Sequence, residues 1–119
     1  MCIMVVDAAQ DMRQDLVRKL QNVFPGSEIA DFGNSLEALK YAARHDFALL
    51  FTDVRIQPFD GYELIRILRQ QNHAFGAYVV SGTKSRPDDL RWMNVNGSFS
   101  KPVTVEELMQ VAQTMAREG

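Results

Sequence analysis

Short apolar runs and helical patterns alternate along this chain, and that alternation restricts the fold more than any other feature. The apolar runs are Cys2–Val6, Glu28–Phe32, Phe47–Thr52, Ala77–Val80 and Ser98–Ser100. Runs of this length bounded by turn signals suit strands buried on both faces. The first, third and fourth are the most apolar and belong in the middle of a sheet. Between the runs lie helical spacings. Met12, Leu16, Val17, Leu20 and Phe24 recur every three to four residues, which is one helix face, and Pro25-Gly26 stops that helix. Asn34-Ser35-Leu36-Glu37 reads as a capping box, with Leu36, Leu39 and Ala43 following at helical spacing. Tyr62, Ile65 and Leu68-Arg69 mark a third helix after Gly61, with Asp60 as its cap. Ser85-Arg86-Pro87-Asp88 is a fourth helix start, and Thr104-Val105-Glu106-Glu107 is a second capping box, opening a helix lined by Leu108, Val111 and Met115.

The resulting order, βαβαβαβαβα, predicts an α/β fold: one doubly wound (βα)5 domain, a five-stranded parallel sheet with helices on both faces, of flavodoxin-like type. With 119 residues, the whole chain 1–119 reads as a single domain, since halves of it would bury too little core. The 13 basic and 15 acidic side chains give a net charge of −2 with no basic cluster, so direct nucleic-acid binding by this domain is disfavoured. The lone Cys2 can form no internal disulfide, which makes a cytoplasmic setting the default. No apolar run approaches the about 18 residues of a membrane span. The N-terminal apolar run stops at Asp7 and lacks a basic flank, unlike a secretory signal.

In such sheets chemistry collects at the carboxyl ends of the strands. Asp7 follows the first run, Asp53 the third, Ser81 the fourth and Lys101 the fifth. Singly, each has an ordinary structural role: a strand-end Asp as a cap or turn former, Ser81 as a turn hydroxyl, Lys101 as a solvated amine. A parallel sheet brings all of them to one edge. Two carboxylates, a hydroxyl and an ammonium suit phosphoryl transfer. A carboxylate can attack phosphorus, a neighbouring carboxylate can hold a divalent cation, and Lys and Ser can stabilise the phosphoryl oxygens. Asp53 ends the strongly apolar stretch FALLFTD before a loop, which favours it as nucleophile and leaves Asp7 to the metal.

These residues resemble the receiver domain of bacterial two-component response regulators. The resemblance runs from Ile3-Met4-Val5-Val6-Asp7 to the last helix. Its most specific stretch is Asp53-Val54-Arg55-Ile56-Gln57-Pro58-Phe59-Asp60-Gly61, supported by Lys101-Pro102 and, less strongly, by Ser81-Gly82. It implies that Asp53 accepts a phosphoryl group from a histidine kinase or phosphotransfer protein. It implies that Asp7, Asp53 and the backbone carbonyl of Arg55 hold Mg2+, that Ser81 and Lys101 contact the phosphoryl group, and that Gly82 leaves access to it. Lys101-Pro102 would carry a cis peptide. The implied output is a switch in a protein-interaction surface, read by an attached effector domain or a separate target. A homodimer through the fourth helix, fifth strand and fifth helix fits the same scheme. The domain would be a signalling module and not an enzyme proper, apart from weak self-phosphorylation and self-dephosphorylation.

The chain departs from the family in several places. Ala8 stands where a second acid usually serves as metal ligand, so Mg2+ binding should be weak, and Asp11, a turn into the helix, is poorly placed to compensate. Pro58 is displaced by one position, which alters the expected loop path. Ser98 occupies the position of a switch aromatic, so that coupling is absent unless Phe99 shifts register to supply it. The stretch from Ser81 to Ser98 is short by about two residues relative to common members, with Asn94 in place of a helix-ending Gly. Ala8 also motivates an alternative, a pseudo-receiver kept as an interaction module after Mg2+-dependent phosphorylation is weakened or lost. Other functions on this architecture fit less well. Asp7-Ala8-Ala9-Gln10 lacks the hydroxyl- and glycine-rich loop of a flavin carrier. Asp53-Val54-Arg55 lacks the Asp-x-Asp of dehalogenase-type phosphatases, and no Gly-x-Gly-x-x-Gly is present. His45 and His73 read as solvated, the methionines as packing residues, and Trp92-Met93 as either a partner surface or half-buried packing.

Overall fold

The computed structural model describes residues 1–71, 73–82 and 95–118. In chain order the elements are β1 (Cys2–Val6), α1 (Gln10–Val23), β2 (Glu28–Phe32), α2 (Ser35–Ala42), β3 (Leu49–Asp53), α3 (Gly61–Gln70), β4 (Gly76–Ser81), β5 (Gly97–Ser100) and α4 (Val105–Glu118). All ladders are parallel and the strand order is β2-β1-β3-β4-β5. The three most apolar runs therefore form the inner strands, and the more polar β2 and β5 form the edges. The helix start at Ser85-Arg86-Pro87-Asp88, Trp92-Met93 and Asn94 lie outside the described residues.

Side chains alternate across each strand, so each inner strand feeds two cores. Met4, Val6, Leu50, Ala77 and Val79 pack with Ala38 and Ala42 of α2 and with Leu64, Ile65 and Leu68 of α3. Ile3, Val5, Leu49, Phe51, Tyr78 and Val80 face the other way, onto Leu16, Val17 and Leu20 of α1 and Leu108 and Val111 of α4. Each Val, Leu, Ile, Met or Phe among them contributes about 1.5–3 kcal/mol when fully removed from water. Continuous apolar strands are what a sheet covered on both faces requires.

Boundaries shift slightly from the sequence expectation. Phe47 is buried, but pairing in β3 begins at Leu49, opposite Ile3 and Gly76, and extends to Asp53, opposite Val80. The capping residues behave as the sequence suggests: Asn34 accepts from the Glu37 amide, Asp60 from the Glu63 amide, and Thr104 and Glu107 cap reciprocally. Gly26 follows α1 at φ +83°, a left-handed conformation that favours glycine.

The buried face of α2 corrects the sequence reading. Leu36 is 43% exposed and Ala43 is exposed, with Leu39 only partly buried. Ser35, Ala38 and Ala42 face inward instead. The small residues let α2 lie close to the sheet, and Ser35 is drawn in by hydrogen bonds to the loop after β3. His45 stacks on Tyr41 with ring centroids 4.1 Å apart, and His73 stacks on Phe47 at 5.2 Å, so both rings lean on aromatic neighbours.

Candidate functional site at the carboxyl edge of the sheet

Parallel pairing sets the carboxyl ends of β1, β3, β4 and β5 side by side, and each delivers one polar residue. Asp7 directly follows β1. Its amide donates to the Phe32 carbonyl (3.0 Å), and its Oδ1 accepts from the Ala9 amide (2.9 Å). Asp53 closes β3, and its Oδ1 accepts from the Arg55 amide (3.2 Å). Lys101 follows β5, with its amide on the Ser81 carbonyl (2.9 Å). Its Nζ lies 2.8 Å from Asp7 Oδ2 and 2.8 Å from Asp53 Oδ2. One ammonium thus bridges two carboxylates whose side chains are only 8% and 14% exposed.

The charges are mutually supporting. Burial alone would lower the pKa of the Lys101 ammonium. Its hydrogen bonds and charge interactions with Asp53 and Asp7 outweigh that and hold the pKa above the ordinary lysine value. Lys101 is therefore a fixed positive charge at any physiological pH.

The remaining predicted site residues fall as follows. Ser81 ends β4 opposite Ser100, half-buried at the same edge. Gly82 is exposed, and among the described residues a Cβ there would meet nothing within 4 Å. Arg55 is exposed on the loop after Asp53. Ser98 and Phe99 sit in an unbroken ladder opposite Val79 and Val80. Phe99 keeps regular register, so it lies on the opposite face of the sheet from Ser98 and cannot stand in for an aromatic at position 98. It stacks on Tyr78 (5.7 Å), which stacks on Phe51 (5.3 Å). Asp11 is exposed in the first turn of α1, its Oδ1 accepting from the Met12 amide, and among the described residues it forms no group of three acids with Asp7 and Asp53 that could hold a metal.

The loop after Asp53 is held closely. A Cβ at Gly61 would run into the Asp53 carbonyl oxygen, and the Gly61 amide donates to the Val54 carbonyl (3.0 Å). The start of α3 can approach the end of β3 this closely only without a side chain. Gln57-Pro58 is cis, as is Lys101-Pro102. Ser35, fully buried, brackets the first of these bonds: its amide donates to the Gln57 carbonyl (3.0 Å) and its Oγ accepts from the Phe59 amide (2.9 Å). The displaced proline is thus accommodated by a loop pinned to α2. Ser35 was not singled out from sequence as a site residue. Neither were Arg13 and Asp31, which lie behind Asp7: Arg13 Nη1 donates to the Asp7 carbonyl (2.7 Å) and its Nε to Asp31 Oδ2 (2.8 Å).

Two carboxylates at one point are hard oxygen donors, which suits a cation such as Mg2+ held by one or two carboxylates and otherwise by water and phosphate. Among the described residues no group of three His, Cys, Asp or Glu comes together, and the side chain next to Asp7 is the methyl of Ala8. The donor set fits the ion at its minimum.

Comparisons with known proteins agree with this architecture. The model of the response regulator receiver domain matches residues 3–113. The transcriptional regulatory protein YkoG of Bacillus subtilis is 24% identical over 98% of this chain and 51% of its own length. The sensor protein EvgS of Escherichia coli O157:H7 is 27% identical over 89% of this chain and 9% of its own length. The chain thus spans about half of the first relative and under a tenth of the second. A CheY-like receiver domain from Methylobacillus flagellatus superposes with a TM-score of 0.88 at 17% identity, covering 97% of this chain and 98% of its own. The response regulator TrrA of Thermotoga maritima, solved in complex with Mg(2+)-BeF, gives a TM-score of 0.83 at 23% identity, covering 96% and 97%. At these identities the structural likeness concerns the fold. Among the described residues, no helix is long and apolar enough to cross a membrane.

Proposed function

The chain belongs to the response regulator receiver domain family of two-component signalling, and on that premise we propose that Asp53 accepts a phosphoryl group and switches a protein-interaction surface. The observation that carries this reading is the bridge from Lys101 to Asp53 and Asp7, which gathers nucleophile, counter-charge and second acid at one point. Receiver domains are signalling domains and not enzymes in the ordinary sense. The phosphodonor is a histidine kinase or a phosphotransfer protein, the receiving side an effector domain or separate target, and the setting cytoplasmic. Residues 1–119 act as one receiver unit. A homodimer through the face that includes β5 and α4 belongs to the same proposal.

In the transfer, a carboxylate oxygen of Asp53 attacks phosphorus of a phosphohistidine. A P–O bond forms, the P–N bond breaks, and the leaving imidazole nitrogen takes a proton from solvent. Asp53 presents this oxygen from a rigid inner strand, with Oδ1 oriented by the Arg55 amide. Lys101 then has a phosphoryl oxygen to bind in place of a bare carboxylate, and Ser81 offers a hydroxyl at the same edge. Asp7, Asp53 and the Arg55 carbonyl would hold Mg2+, which offsets charge on the phosphoryl oxygens when bound. New charge at Asp53 redistributes the Lys101 bonds and so pulls on β5, a change of the kind that biases two-state switches.

Ala8 favours a second reading, a pseudo-receiver that keeps the fold as an interaction module and whose Mg2+-dependent phosphorylation is weak or lost. Intact-mass analysis after incubation with a small acyl phosphodonor and Mg2+ separates the two. The first reading predicts a base-labile gain of one phosphoryl group in the wild type and none in Asp53→Asn. No gain in the wild type supports the pseudo-receiver.

A further inference from the structure

We propose that Arg13 and Asp31 form a positioning clamp for Asp7. Its consequence for metal and phosphoryl binding rests on the receiver reading above; its geometry does not. Every polar group of Asp7 has a partner. The amide is on Phe32 of β2, Oδ1 on the Ala9 amide, Oδ2 on Lys101, and the carbonyl takes the Arg13 guanidinium at 2.7 Å. That guanidinium is oriented from behind. Its Nε donates to Asp31 Oδ2 at 2.8 Å, and the same oxygen accepts from Gln14 Nε2 at 3.0 Å. Gly33 leaves it room, since a Cβ there would come to 3.3 Å from Arg13 Nη1.

The clamp joins three pieces of chain: Asp31 near the end of β2, Arg13 in the first turns of α1, and the β1–α1 connection that carries Asp7. A planar fork can hold a carboxylate and a carbonyl at once, and a lysine ammonium cannot reproduce that geometry. Arg13 bonds Asp7 at its backbone carbonyl, so it is a positioning residue that acts through Asp7. With Ala8 contributing no ligand, Asp7 is the only carboxylate that the β1 end supplies to the bridged site. Its placement therefore carries weight that a second acid would otherwise share. Asp31 also offsets the guanidinium charge, which would otherwise stand uncompensated beside a cation site.

The test uses the full chain, 15N-labelled, with two readouts. Native-state amide exchange of Ala9 reports the bond to Asp7 Oδ1 without any metal or phosphodonor. Magnesium titration reports the consequence. In Arg13→Gln, Ala9 exchange should quicken about tenfold while Leu50 and Phe51 of β3 keep wild-type protection. Mg2+ affinity should fall about tenfold, the lower end for an outer group that orients a ligand. Asp31→Ala should do the same, the double variant should add little, and Arg13→Lys should not rescue. If Arg13→Gln unfolds, Asp31→Asn, which retains an acceptor oxygen, should show an intermediate effect on Ala9. Ala9 exchange within twofold of wild type in the folded variants would overturn the clamp, as would full additivity in the double variant. A wild type that binds no Mg2+ and takes no phosphoryl group defeats the receiver reading alone, because Ala9 exchange still decides the clamp.

Discussion

Replacing Lys101 by methionine should move two properties in opposite directions. The ammonium lies 2.8 Å from each of two carboxylate oxygens, so those oxygens are no more than twice that distance apart. Without the cation, two largely buried negative charges face each other across that gap. At an effective dielectric between 80 and 20, their repulsion is about 1–3 kcal/mol. Loss of two charge-assisted hydrogen bonds adds to this, and relief of the lysine's own desolvation subtracts. A net loss of about 2–4 kcal/mol follows, or at least about 8 °C in Tm for a chain of this size. Both Oδ2 atoms are then free, and the competing positive charge is gone, so Mg2+ should bind at least about tenfold more tightly, equivalent to about 1.4 kcal/mol. The assay is thermal unfolding of wild type and Lys101→Met across a Mg2+ series. The variant should start lower and recover more per decade of Mg2+. A variant with unchanged or weaker Mg2+ affinity would refute the idea that Lys101 is what holds the two acids together in the absence of metal.

Other outcomes follow from the same geometry. Ala8→Asp should tighten Mg2+ binding about tenfold by adding a charge beside Asp7, as read by isothermal titration; unchanged affinity would mean the side chain at position 8 does not face the site. Gly61→Ala should destabilise by about 1–3 kcal/mol in urea titration, because the new methyl group meets the Asp53 carbonyl. Ser35→Ala should cost about 1–2 kcal/mol through the orphaned Phe59 amide. At alkaline pH the hydrogen bond to Cys2, then burial, push the Tyr41 hydroxyl up to about 12 from 10.0. A raised folded pKa stabilises fully below the unfolded value and is lost as pH rises through the folded one. Stability should therefore fall between about pH 10 and 12, and Cys2→Ala should move the phenolate absorbance transition downward.

The sheet was legible in the sequence because a strand buried on both faces must be continuously apolar, and β1, β3 and β4 are. The strand-end acids Asp7 and Asp53 were legible for a related reason: a polar residue that abruptly ends such a run has few places to go except the sheet's carboxyl edge, whereas Lys101 follows the more polar β5 and was placed by the strand order alone. Periodicity misjudged α2, because Leu36 is apolar yet exposed while Ser35 is polar yet buried. Local pattern cannot foresee that the Gln57 carbonyl and Phe59 amide, some 20 residues on, require a partner there. Arg13 and Asp31 escaped for the same reason. Each is an ordinary charged residue in its own element, and only the β2–β1 pairing brings them behind Asp7. That position 98 holds Ser and not an aromatic is plain in the sequence, but the Phe51–Tyr78–Phe99 stack across β3, β4 and β5 on the other face was not readable there.

The central claim is that Asp53 is the phosphoryl acceptor. Borohydride reduction converts an acyl phosphate to the corresponding alcohol with release of phosphate, and so marks the residue that carried it. After incubation with a small phosphodonor and Mg2+, reduction and peptide mapping should place the mark at position 53 and at no other acid. A mark at Asp7 or Asp60, or no mark in protein whose mass has risen by one phosphoryl group, would contradict the account.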